Sequence, residues 1–144
     1  MHGMGLGNIF ALMDSLILTK GLFQKMIAHV DSLAPLEACG LLAGKILKVE
    51  EILTISNQAQ SPVRYKMDPI EQLNAFEWIE SNGLDLLGIF HSHPAGPETV
   101  SPTDIAEAYY QVVYVILSHV EKTWCSRGFW IKDGKCDEVY LQIA

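Results

Sequence analysis

The chain has 144 residues, 49% hydrophobic and 19% charged, with a formal net charge of -7 at pH 7. That length and balance predict one globular domain with its own buried core. No cluster of Lys and Arg is present to make a phosphate-binding face, and no apolar run reaches the roughly 20 residues of a membrane span, so neither nucleic acid nor membrane is expected as a partner.

Residues 1–13, MHGMGLGNIFALM, are expected to form a loosely ordered leader before a single domain spanning 14–144. No Lys or Arg precedes its short apolar part, which argues against a secretory signal. SLILT, from Ser15, is the first predicted strand. Over KGLFQKMIAHVDSLA, residues Leu22, Phe23, Met26, Ile27, Val30 and Leu33 recur at helical spacing, and Pro35 ends the helix. EACGLLAG, Glu37 to Gly44, is predicted to run into a strand, with KILKVEEILTISN as its hairpin partner across Gly44 and Lys45.

Asp68-Pro69-Ile70-Glu71 is a strong helix start: Asp as N-cap, Pro at N1 and Glu at N3. That helix runs to about Ser81, where Asn82-Gly83 stops it. LDLLGIFHSH is a nearly continuous apolar run, as in a central strand buried on both faces. PAGPETV is a loop, and SPTD opens a helix that continues through IAEAYYQ. VVYVILS is a further buried strand, and TWCSRGFWIK and CDEVYLQIA form a closing hairpin around Asp133-Gly134. The expected fold class is α/β: a sandwich with a mixed, partly antiparallel sheet flanked by helices.

The chemistry gathers in GIFHSHPAGPETVSPTDIAEA, Gly88 to Ala108. Strand residues i and i+2 share a face, with Cα atoms roughly 6.6 Å apart. His91 and His93 can therefore aim both imidazoles at one ion. Asp104 falls in the first turn of the next helix, where a short loop can return its carboxylate to the pair. Two imidazoles and a carboxylate suit zinc and leave a position for water. Ser101 could donate to a developing oxyanion, and Glu37, entering an apolar stretch, is the candidate base.

Plainer readings compete. Ser101-Pro102-Thr103-Asp104 also makes a good helix cap, and Glu37 could be a solvated loop residue after Pro35. His29 and His119 read as structural histidines, and His2 falls in the leader. The three cysteines, Cys39, Cys125 and Cys136, have no CxxC spacing. They read as thiols of a reducing cytoplasm, not as a disulfide framework or a zinc cluster.

His91-Ser92-His93-Pro94, followed by Ser101 and Asp104, resembles the signature of the JAMM (MPN+) metalloproteases. Glu37 in EACGLLAG matches that family's upstream glutamate, and Arg64 to Pro94 resembles the small prokaryotic branch. The resemblance covers 14–144. It implies zinc held by His91, His93 and Asp104, with Glu37 moving the proton from the activated water to the leaving amine. Ser101 would stabilise the tetrahedral intermediate, and the fold would be a cytidine-deaminase-like sandwich. The implied reaction is hydrolysis of a peptide or isopeptide bond after the C-terminal glycine of a ubiquitin-like protein, typically a sulfur carrier, in the cytoplasm. Many relatives place proline directly before the motif serine. Here Val100 precedes Ser101 and Pro102 follows it, a change that bears on loop shape and substrate choice.

Rival readings turn on single features of the chain. A zinc deaminase needs H-x-E and P-C-x-x-C, and neither occurs. A RadC-type relative carries a similar histidine loop, but this acidic chain shows no DNA-binding element. A non-catalytic binding module for ubiquitin-like proteins differs from the enzyme in lacking hydrolysis.

Overall fold

A computed structural model of the chain describes residues 15–144. The expected leader, with His2, lies outside the described residues. Strand β1 is Ser15–Leu18 and helix α1 is Lys20–Leu33, followed by β2, Cys39–Lys45, and β3, Lys48–Ile55. Helix α2 is Pro69–Ser81, β4 is Asp85–His93 and α3 is Pro102–Ala106. The chain closes with β5, Val113–Val120, β6, Thr123–Lys132, and β7, Lys135–Ile143.

The helix starts follow local chemistry. The Thr19 hydroxyl caps α1 by accepting from the Leu22 N–H at 3.2 Å. The Asp68 carboxylate caps α2 by accepting from Ile70 and Glu71, each at 3.0 Å. Asn82 and Gly83, the latter at φ +67°, end α2 as expected.

The sheet is mixed. β4 lies between β2, antiparallel to it, and β5, parallel to it. The expected sandwich is corrected on one point: the strands close into a barrel in the order β1-β3-β2-β4-β5-β6-β7. Closure comes from β1, which pairs in parallel with β7 from Ser15↔Tyr140 to Leu18↔Ile143. It reaches β3 at Ile17↔Lys48, where the Ile17 N–H donates to the Leu47 carbonyl at 2.8 Å. A four-residue strand thus joins two sheet edges that would otherwise lie apart.

Alternation along the strands feeds two hydrophobic clusters. Leu42, Phe90, Val115 and Leu117 join Met26 and Val30 of α1. Leu41, Ile89, Tyr114 and Ile116 join Ala75 and Ile79 of α2. β4 is therefore buried on both faces, and its last seven residues are all buried.

Three local expectations change. β2 starts at Cys39, so Glu37 stands two residues ahead of the strand. The β2–β3 turn is Ile46-Leu47, not Gly44-Lys45, since Lys45 pairs with Lys48. Gly44 instead serves close approach, because a Cβ there would collide with the Lys48 carbonyl. Helix α3 ends at Ala106, not Gln111. The chain then turns so that Val113 meets Gly88 in the parallel β4–β5 register, with the Tyr110 N–H donating to the Tyr114 hydroxyl at 3.1 Å. No described helix is long and apolar enough to cross a membrane.

Candidate metal centre

Parity on β4 places Ile89, His91 and His93 on one face and Phe90 and Ser92 on the other. His91 is fully buried and His93 is 5% exposed. Asp104 comes to them on α3 through a reciprocal cap. The Ser101 hydroxyl accepts from the Asp104 N–H at 3.0 Å, and the Ser101 N–H donates to Asp104 Oδ2 at 2.8 Å. The cap and the cluster are thus built from the same two side chains.

Three side chains converge. Asp104 Oδ1 lies 3.1 Å from His91 Nε2, Asp104 Oδ2 lies 3.2 Å from His93 Nε2, and the two Nε2 atoms are 3.1 Å apart. Ligand atoms of Glu37, His91 and His93 all lie within 4.8 Å of one another. A tetrahedral zinc with bonds of about 2.0–2.1 Å has ligand–ligand edges of about 3.4 Å. The donor set and its spacing therefore fit a small divalent cation. The His93 Nδ1–H donates to the Pro97 carbonyl at 2.8 Å, which turns the Nε2 lone pair toward the cluster.

Glu37 is not a solvated loop residue; it is 4% exposed. Its N–H donates to the Ser61 carbonyl at 2.8 Å, and its carbonyl accepts from Asn57 Nδ2 at 3.0 Å. Next to it, the Ala38 N–H donates to Ser92 Oγ at 2.8 Å, and the Ser92 N–H donates to the Ala38 carbonyl at 2.9 Å. The serine between the two histidines thus ties the Glu37 segment to the end of β4.

Electrostatics assign protons. Burial pushes the Glu37 carboxyl up to about 7; His93 opposes that rise and Asp104 adds to it. Burial also works against the Asp104 carboxylate, but its contacts with His91, His93 and Ser101 hold it well below the usual carboxylate range. Burial lowers His91 despite Asp104. At His93 the Asp104 and Pro97 contacts outweigh burial and raise the imidazole. Asp104 is the fixed negative charge of the cluster.

Beside it opens a cavity of about 320 Å³, lined by Ser101 and Asp104 and by Tyr65, Tyr109, Tyr110 and Tyr114. The Ser101 oxygen is used by the cap, while its hydroxyl proton remains available to donate. His29 lies edge-on to Phe90 and His119 lies against Trp124, so both stay outside the cluster.

Sequence reasoning assigned no role to Ser92, Asn57 or Tyr65. Asn57 donates to the Glu37 and Arg64 carbonyls and accepts from the Ala59 and Lys66 N–H groups, so one amide organises the loop beside the site. An Asn at the head of a loop signals such a turn, but not its distant partner. The Tyr65 ring stacks on His91 with centroids 4.4 Å apart.

Residues 19–131 match the family described as prokaryotic homologs of the JAB domain. A probable TtuB-protein conjugate cleaving protease of Thermus thermophilus is 43% identical over 129 residues, covering 89% of this chain and 82% of that protein. A desampylase of Pyrococcus furiosus is 41% identical over 122 residues, covering 84% of this chain and 86% of the relative. A solution structure of a Desulfitobacterium hafniense protein superposes with a TM-score of 0.81 at 36% identity, covering 90% of this chain and 92% of that one.

Proposed function

The chain belongs to the family of prokaryotic homologs of the JAB domain, the JAMM/MPN proteins that act on ubiquitin-like proteins, and from that premise we propose that it is a zinc-dependent peptidase. Its substrate is a ubiquitin-like protein, of the sulfur-carrier kind, or a conjugate of one. The bond cut is the peptide or isopeptide bond after the carrier's C-terminal glycine. The observation that carries the reading is the convergence of His91, His93 and Asp104 at 3.1–3.2 Å beside a buried Glu37. The relatives named for conjugate cleavage support the substrate class. A cytoplasmic setting suits three free cysteines.

His91, His93 and Asp104 would hold the zinc. Bound there, zinc supplies Lewis acidity and a water that ionises near neutral pH. Glu37 takes the proton of the attacking water and returns it to the leaving amine; a carboxyl near 7 suits both transfers. Ser101 donates its hydroxyl proton toward the carbonyl oxygen as negative charge builds there. Asn57 and Ser61 hold Glu37 from its two backbone sides, and Ser92 holds the adjacent Ala38. The cavity beside Ser101 receives the chain near the cut bond. Val63 and Tyr109 line it and are 80% and 86% exposed, an apolar contact surface for a protein substrate.

The test mixes the protein with ubiquitin-like carriers extended past their terminal Gly-Gly, with zinc or with chelator, and follows mass. Cleavage at the glycine that chelator stops supports the reading. Intact carriers in the presence of bound zinc would sink it, and a stable complex without cleavage would favour the binding module. Ser101→Ala is expected to keep zinc and to lower kcat about 100-fold, the usual cost of one oxyanion donor. Losing the cap costs about 1 kcal/mol of stability as well. An unchanged kcat in single-turnover assays would remove Ser101 from the chemistry.

A further inference from the structure

We propose that Tyr65 is a positioning residue for His91, fixing its ring by stacking where His93 is fixed by a hydrogen bond. The inference rests on the metal reading above. The two histidines are anchored differently. His93 Nδ1 has the Pro97 carbonyl at 2.8 Å. His91 Nδ1 is closed to solvent and has no hydrogen-bond partner among the described residues.

A histidine that presents Nε2 to a cation carries its proton on Nδ1, and that N–H ordinarily donates to a carboxylate or carbonyl that sets the ring's angle. Among the described residues His91 has no such second anchor. What it has is the Tyr65 ring, centroid to centroid 4.4 Å away with the planes 25° apart. A flat ring on one face of the imidazole hinders its turning about Cβ–Cγ. That keeps Nε2 directed at Asp104 Oδ1, 3.1 Å away.

Tyr65 is itself held. Its neighbours Arg64 and Lys66 both bond to the Asn57 amide, at 3.1 and 2.9 Å. The same amide reaches the Glu37 carbonyl at 3.0 Å. The loop that carries the stacking ring is therefore fixed to the segment that carries the base. The ring, not the hydroxyl, makes the contact with His91.

The test compares the parent with Tyr65→Phe, which keeps the flat ring, and Tyr65→Leu, which keeps apolar bulk without it. Zinc affinity is read by competition with a chromophoric chelator, and ligand geometry by the visible absorption of the cobalt(II) forms. Tyr65→Phe is expected to bind zinc within about twofold of the parent. Tyr65→Leu is expected to bind about 10-fold or more weakly, as loss of an outer-shell partner does, with shifted cobalt bands. Melting of the metal-free proteins checks that the variants fold, and Tyr65→Met replaces Tyr65→Leu if the latter does not. Parent-like affinity in Tyr65→Leu overturns the inference, and so does equal weakening in Tyr65→Phe. A parent that binds no zinc would bring down the metal reading itself, which is a different result.

Discussion

Glu37→Gln is expected to keep zinc and to lose hydrolysis, with kcat falling about 1,000-fold, within the usual range for a general acid–base group. The substitution is nearly isosteric, and the backbone bonds to Ser61 and Asn57 that hold the position do not involve the side chain. What disappears is the group that accepts and returns a proton. Metal content and single-turnover cleavage, measured on the same sample, check it. Parent-like cleavage would show that another group is the base.

A second readout of Glu37→Gln needs no metal. The folded carboxyl sits at about 7 against an ordinary 4.5. The folded state therefore holds a proton that the unfolded chain gives up near 4.5. This contribution to stability is complete below 4.5 and is lost as pH rises through about 7. Chelated parent protein should lose stability across that window relative to Glu37→Gln, by on the order of 3 kcal/mol. Denaturant unfolding at several pH values gives the difference, and parallel curves would contradict the burial argument.

Asp104→Asn separates the two roles of that side chain. Its carbonyl oxygen can still accept from the Ser101 N–H, so the start of α3 should survive and the melting temperature change little. The negative charge shared by His91 and His93 is gone. Zinc affinity should drop about 100-fold or more, since outer-shell losses alone reach 10–100-fold. Chelator competition measures this. Parent-like affinity would reduce Asp104 to a helix cap.

The pairing of His91 with His93 was legible because strand parity is local, and the Asp104 cap was legible because capping residues sit at fixed offsets. Glu37 was legible as a candidate because a carboxylate enters an apolar stretch there, and the resemblance added to that; its backbone setting was not legible, since Ser92 and Asn57, which bond to Ala38 and Glu37, are 55 and 20 residues from Glu37 by sequence number. Barrel closure was not legible. Alternation in Ser15–Leu18 says which residues face inward but not which strands lie alongside. The end of α3 was missed because IAEAYYQ has good helix formers, while the parallel register of Val113 on Gly88 requires the chain to leave the helix sooner. Tyr65 had no signal at all: an aromatic residue in a polar loop becomes informative only when its ring is seen against His91.

The 3.1–3.2 Å contacts among His91, His93 and Asp104 also bear on which ion would suit the proposed site. Calcium seeks six to eight oxygens at about 2.3–2.6 Å, and magnesium a nearly octahedral shell of oxygens. Two imidazole nitrogens and one carboxylate, in close contact, offer neither the number of oxygens nor the hardness those ions require. If the proposed site holds zinc, the spacing of two strand residues and one capped helix would disfavour the abundant alkaline-earth cations before any substrate arrives.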